Sequence, residues 1–184
     1  GEILAWTSYA QIPQLLVFAQ ELWRRGFTQN DTCGNHVHFV FNEPENALAL
    51  FSLQDTWDYF IEKYRIKFKD NYKALCRLNN QYSSFRYPER DIESALRTKQ
   101  DGYGRYYAIN LMAYYKHNKH IEFRILPYAD SYLEYKRMFV WLIKIVNEII
   151  SREFTTERSV PAPPTHGFAS MEKISGSQDI KQIS

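Results

Sequence analysis

Cysteine is scarce: only Cys33 and Cys76 occur in 184 residues. Two cysteines cannot build a disulfide framework, and no CxxC spacing exists for a metal site. A reducing, cytoplasmic setting is the expectation that follows. Long apolar runs are absent too. No stretch of about 18 apolar residues occurs, so no membrane span is expected. The apolar segment from Met138 to Ile150 is interrupted by Lys144, Asn147 and Glu148, which suits a buried helix. No signal peptide is visible, and the chain opens on Gly1 without an initiator methionine, a hint of a processed or truncated product. A large excess of one charge is also missing. The formal net charge of +2 gives nucleic-acid binding no support from bulk electrostatics. The basic stretch Lys63, Arg65, Lys67 and Lys69 reads as a solvated face or helix end.

What is present suits one globular domain with a real core. Hydrophobic residues make up 45% and charged residues 24%. Aromatics reach 16%, with 14 tyrosines, and such side chains favour pleated, half-buried surfaces.

Apolar side chains at Leu15, Leu16, Phe18, Ala19, Leu22 and Trp23 predict a helix over 12–25, closed by Gly26. The next segment alternates, which predicts a strand. Val37, Phe39 and Phe41 fall on one side, with Gly34, His36, His38, Val40 and Asn42 on the other. Helices are expected over 47–64, 70–80 and 91–99, with a loop over 83–91. Strands over 105–115 and 120–126, joined by a turn at 116–119, read as a hairpin. On the second strand His120, Glu122, Arg124 and Leu126 share a face, opposite Ile121, Phe123 and Ile125. On the first, Ile109, Leu111 and Ala113 are expected in the core, opposite Tyr106, Ala108, Asn110, Met112 and Tyr114. A long helix over 131–152 starts at Ser131, with Glu134 completing a capping box. The domain is therefore expected to span 1–152. Residues 153–184 read as a flexible tail, or one ordered by a protein partner. The fold class is α+β: an antiparallel sheet with helices on its apolar face and the polar face left as an open floor.

Two sequence features can carry chemistry. In Cys33-Gly34-Asn35-His36-Val37-His38, the histidines stand at i and i+2 on a strand, so both imidazoles project from one face. Gly34 beside them permits close backbone approach. In His120-Ile121-Glu122-Phe123-Arg124, Glu122 and Arg124 also share a face. A carboxylate can hold a divalent cation, and a guanidinium can neutralise a transferring phosphoryl group. Other candidates favour ordinary roles: Cys33 as a small buried residue, Arg86 and Arg90 as solvated arginines. His117 and His120 lie at or near the turn, and His166 lies in the tail.

The ordered set CGNHVH, then Arg105-Tyr106-Tyr107-Ala108-Ile109-Asn110-Leu111, then Glu122-Phe123-Arg124, then a long helix resembles the amidoligase family. The resemblance covers roughly residues 1–150 and rests on CGxHVH, R-Y-x-x-x-N-L and EFR motifs. That family is related to glutamine synthetase, so the resemblance implies a partial glutamine synthetase-like catalytic core. It also implies ATP- and Mg2+-dependent joining of a carboxylate to an amine through an acyl phosphate. Carried over by position, Arg124 contacts phosphate, and His36 and His38 serve metal, nucleotide or the activated carboxylate. Arg105 and Asn110 match the nucleotide side of the pattern. Glu122, His36 and Glu2 are the implied metal ligands. The usual first strand with Glu-x-Glu is missing from this sequence, and Glu2-Ile3-Leu4-Ala5 departs from the family's later glutamate segment. Two alternatives follow: a fragment completed by another segment or partner, or a retired ligase fold acting as an interaction module.

Overall fold

The computed structural model describes residues 7–30, 34–78, 80, 83–88, 106–116 and 119–152. Three strands form one antiparallel sheet: β1 (Asn35–Val40), β2 (Ile109–Asn110) and β3 (His120–Leu126), in the order β1-β3-β2. Six α-helices accompany them among the described residues: α1 (Ile12–Arg24), α2 (Pro44–Phe51), α3 (Gln54–Lys67), α4 (Tyr72–Arg77), α5 (Ala113–Lys116) and α6 (Tyr132–Ser151), with a 3-10 turn at Tyr9–Gln11 leading into α1. The fold is α+β. No helix among the described residues is long and apolar enough to cross a membrane. Residues 153–184, expected as a tail, lie outside the described residues, as does the helix expected over 91–99.

The apolar face of the sheet is aromatic. Phe123, at the centre of β3, meets Phe39 of β1 at 5.4 Å between ring centroids, Phe51 of α2 at 5.5 Å and Phe60 of α3 at 5.7 Å. Phe60 and Tyr64 of α3, with Phe68 just past its end, extend the cluster to Trp141 of α6. Mostly edge-on or tilted packing of this kind adds to the stabilisation from burial. Helices α2, α3 and α6 thus cover the face where sequence alternation put Val37, Phe39, Ile121, Phe123 and Ile125.

Two elements differ from expectation. The single helix over 47–64 is two helices, broken at Ser52-Leu53, where Leu53 is extended. Side chains satisfy the carbonyls this break frees. Trp57 Nε1 donates to Phe51 O at 2.7 Å, and Tyr87 Oη to Ser52 O at 2.7 Å. Ser52 Oγ donates back to Leu48 O at 2.6 Å, a bond that competes with helix continuation. The strand over 105–115 shrinks to Ile109–Asn110, followed by a turn and the one-turn helix α5. Asn110 explains the change: its side-chain oxygen accepts from Met112 N at 3.0 Å, folding the backbone into a local turn.

The ends of the sheet are pinned by polar contacts. The Tyr64 hydroxyl lies 3.1 Å from both Ala74 O and Ile125 O, which fixes α4 against β3. Asn35 Nδ2 donates to Pro127 O at 2.6 Å, and its oxygen accepts from Gln29 at 2.7 Å. Ser131 Oγ caps α6 by accepting from Glu134 N at 3.2 Å. The Glu134 carboxylate binds Asp130 N, one residue earlier than the expected capping box, at 2.7 Å. It also takes Lys73 Nζ at 2.9 Å and Asn71 Nδ2 at 3.2 Å, joining α6 to the start of α4.

Candidate functional site

Pairing places the site residues. His38 of β1 stands opposite Glu122 of β3, and Asn110 of β2 stands opposite the same glutamate. The β1–β3 register shifts between Asn35 and Val37, where two steps of β1 match three of β3. A bulge of this kind re-aims side chains, and it falls at His36 and Arg124. Glu122 is buried at 6% exposure, while His36 and His38 remain exposed.

Glu122 is the hub. Its Oε1 lies 2.9 Å from Arg124 Nη1, 3.2 Å from His36 Nδ1 and 3.7 Å from His38 Nε2. Its Oε2 accepts from Asn110 Nδ2 at 2.6 Å. Burial alone pushes the Glu122 pKa up. The His36 hydrogen bond, the Asn110 bond and the Arg124 charge overcome that and hold it down at about 2. The carboxylate therefore stays ionised across the working pH range. Arg124 in turn lies over the Tyr106 ring, 5.8 Å from its centroid.

The expected open floor is only partly open. Asn110, His120, Glu122 and Leu126 are all buried, so β3 is covered on both faces and the exposed strip is the β1 side. His120, expected near a turn, packs its buried ring edge-on against His38, with centroids 4.6 Å apart. It holds the His38 ring from the side away from solvent. Arg105, Glu2, Cys33, Arg90, His117 and His166 lie outside the described residues. Arg86 is exposed.

One site residue had no sequence signal of its own. Arg77, the last residue of α4, reaches back over the start of β1. Its Nη2 donates to Leu126 O at 3.2 Å. A Cβ on Gly34 would lie 2.2 Å from that nitrogen and 3.4 Å from His36 Nε2. Gly34 announced a close approach; what approaches is a guanidinium from a distant helix. Burial lowers the Arg77 pKa from its ordinary value, the Tyr64 phenol opposes this, and the Arg124 charge adds to the lowering. An arginine so shifted remains charged at neutral pH.

No family model, curated protein or solved structure matches the chain.

The resemblance implies a magnesium ion, which requires oxygen ligands in a near-octahedral shell. The described residues do not fit one. Both Glu122 oxygens already accept from nitrogen donors, and an arginine lies against them. Glu122 and His36, two of the implied ligands, bond to each other. Among the described residues, no group of three or more His, Cys, Asp or Glu is arranged to hold a metal. What the arrangement does offer is cationic and hydrogen-bond-donating groups around one saturated carboxylate. Such a surface suits an anionic oxygen group.

Proposed function

We propose that the chain carries the anion-handling face of an ATP-dependent carboxylate–amine ligase related to the amidoligases. The observation that supports this reading is the meeting of His36, His38, Asn110, Glu122 and Arg124 at one cluster on three neighbouring strands. Those are residues the family resemblance singles out, drawn from motifs far apart in sequence. In the reaction, the substrate carboxylate attacks the terminal phosphorus of ATP, releasing ADP and giving an acyl phosphate. The amine then attacks the acyl carbon and phosphate leaves, so the amide forms. Arg124 neutralises the phosphoryl oxygens. His36 and His38, exposed beside it, orient the activated carboxylate. Glu122 and Asn110 act as positioning residues that fix Arg124 and His36.

The test is calorimetric titration with ATP, with and without magnesium, followed by phosphate release in the presence of mixed amino acids and amines. Binding that Arg124→Ala weakens by about tenfold or more is the expected result for a lost charge-assisted contact. No heat with ATP in either condition sinks the ligase reading.

The saturation of Glu122 favours a second reading, a retired ligase fold used as an interaction module. Joint substitution of His36, His38, Glu122 and Arg124 separates the two. A cellular phenotype that survives the joint change, but not deletion of residues 153–184, supports the module.

A further inference from the structure

We propose that the outward side of the α1–α6 helix pair is a docking surface for anionic lipid headgroups, on which the domain rests without spanning the bilayer. The two helices run side by side and antiparallel. At one end Trp23 of α1 packs on Tyr132 and Tyr135 of α6. At the other, the Tyr9 hydroxyl in the turn before α1 accepts from Asn147 Nδ2 at 3.2 Å. Helix α6 buries Met138, Leu142, Ile145 and Ile149.

The opposite side of α6 is cationic. Leu133, Lys136, Arg137, Val140 and Lys144 are all exposed, and their three- and four-residue spacing makes one stripe. No acid falls on it. Both acids of α6 are drawn elsewhere: Glu134 holds Lys73 and Asn71 at α4, and Glu148 holds Tyr59 of α3 and Arg152. Among the described residues Lys136 and Arg137 form no ion pair, and Lys144 acts on Glu148 only through longer-range attraction. Helix α1 adds Arg24 and Arg25 against the single acid Glu21. Five cations and one acid thus face outward in a chain whose net charge is +2, so the remaining residues together are net negative.

The same layer holds most of the exposed apolar surface. Seven of the ten exposed large apolar side chains among the described residues belong to it. Tyr9, Val17, Phe18 and Phe27 lie on or beside α1, and Leu133, Val140 and Ile150 on α6. Single exposed residues of this kind are ordinary, but gathered among cations they mark an interaction surface. The pattern selects the occupant. A second copy of the chain would set cation against cation. A partner helix would need one apolar stripe to grip, and these side chains are spread over two helices with cations between them. An anionic membrane meets both features. Its headgroups take the lysines and arginines, and the aromatic and aliphatic tips enter the acyl boundary. The surface uses none of the sheet-cluster residues, so it stands or falls apart from the ligase reading.

The experiment is co-sedimentation of the full chain with vesicles of phosphatidylcholine alone, or of equal parts phosphatidylcholine and phosphatidylserine. Wild type is expected to sediment with the anionic vesicles only, and less as salt rises. Neutralising one cation costs about fivefold, so Lys136→Gln, Arg137→Gln and Lys144→Gln together should weaken binding by about a hundredfold. These are exposed positions, so the unfolding midpoint should stay where it is. Val17→Ser with Val140→Ser, which leaves every charge in place, should weaken binding several-fold. Arg65→Gln, Lys67→Gln and Lys69→Gln remove as much charge from another exposed segment and should leave binding nearly unchanged. No sedimentation with anionic vesicles overturns the proposal. So does an equal loss from the two charge-neutralised triples. Binding to soluble polyglutamate without binding to vesicles overturns it as well, and assigns the surface to an acidic protein instead.

Discussion

Asn110 Nδ2 donates a 2.6 Å hydrogen bond to Glu122 Oε2, straight across the β2–β3 pair. The same side chain accepts from Met112 N, so one residue both ends the strand and holds the carboxylate. Replacing it tests both links at once. Asn110→Ala leaves a buried carboxylate oxygen short of a donor and a buried N–H short of an acceptor. A loss of about 2–3 kcal/mol follows from unmet buried groups. Urea unfolding measures it, and a change below about 0.5 kcal/mol, the ordinary range for surface substitutions, contradicts the assigned role.

Glu122 should dominate the acid response of the domain. Its pKa in the folded state, about 2, lies below the usual 4.5. A depressed carboxylate contributes stability that is complete above the unfolded value and is lost as pH falls through the folded one. The contribution is on the order of 2 kcal/mol once solvent around the exposed histidines is allowed for. Unfolding free energies between pH 6 and pH 2 should therefore fall for the wild type. In Glu122→Gln that fall should be shallower, from a lower starting stability, because Arg124 loses its ion pair with the buried carboxylate. Parallel curves for the two proteins would remove Glu122 from the account.

Tyr64 is the pin between α4 and β3. Tyr64→Phe keeps the ring in its aromatic cluster and removes only the hydroxyl shared by Ala74 O and Ile125 O. Stability should drop by about 1–2 kcal/mol, the cost of carbonyls left without a donor. Hydrogen exchange should quicken in α4 more than in α6. Uniform quickening across both helices would show that the hydroxyl does not tie α4 in particular.

Strand alternation made most of the site legible. His36, His38, Glu122 and Arg124 could be assigned to one face because a period of two is a local property of β1 and β3. Asn110 was assigned to that face by the same rule, although its strand is far shorter than the alternation suggested. Its side chain competes for the backbone, and propensity over 105–115 gave no sign of that. The split between α2 and α3 was hidden for a related reason. It depends on Trp57 and Tyr87 reaching back to carbonyls, contacts that exist only once the chain is folded. Arg77 was illegible for the same cause, since nothing around 77 in the sequence says which strand lies beneath α4. The aromatic face of the sheet needed no tertiary information beyond alternation. Its cover by α2, α3 and α6 followed from their apolar stripes.

The two histidines should separate in their effect on Glu122. His36 Nδ1 lies at 3.2 Å from the carboxylate, and its hydrogen bond is the largest of the influences that hold the Glu122 pKa down. His38 Nε2 lies at 3.7 Å, beyond good hydrogen-bond geometry, and packs against His120 instead. His36→Ala should therefore move the Glu122 titration up toward the ordinary carboxylate range, while His38→Ala leaves it close to where it began. Carbon-13 NMR of the Glu122 carboxyl through an acid titration reads both variants directly. The sign of the stability change follows: His36→Ala should lose its Glu122 contribution at a higher pH than wild type, because the folded-state pKa has risen. Equal shifts in the two variants would mean that the imidazoles act through their shared face rather than through the one close bond.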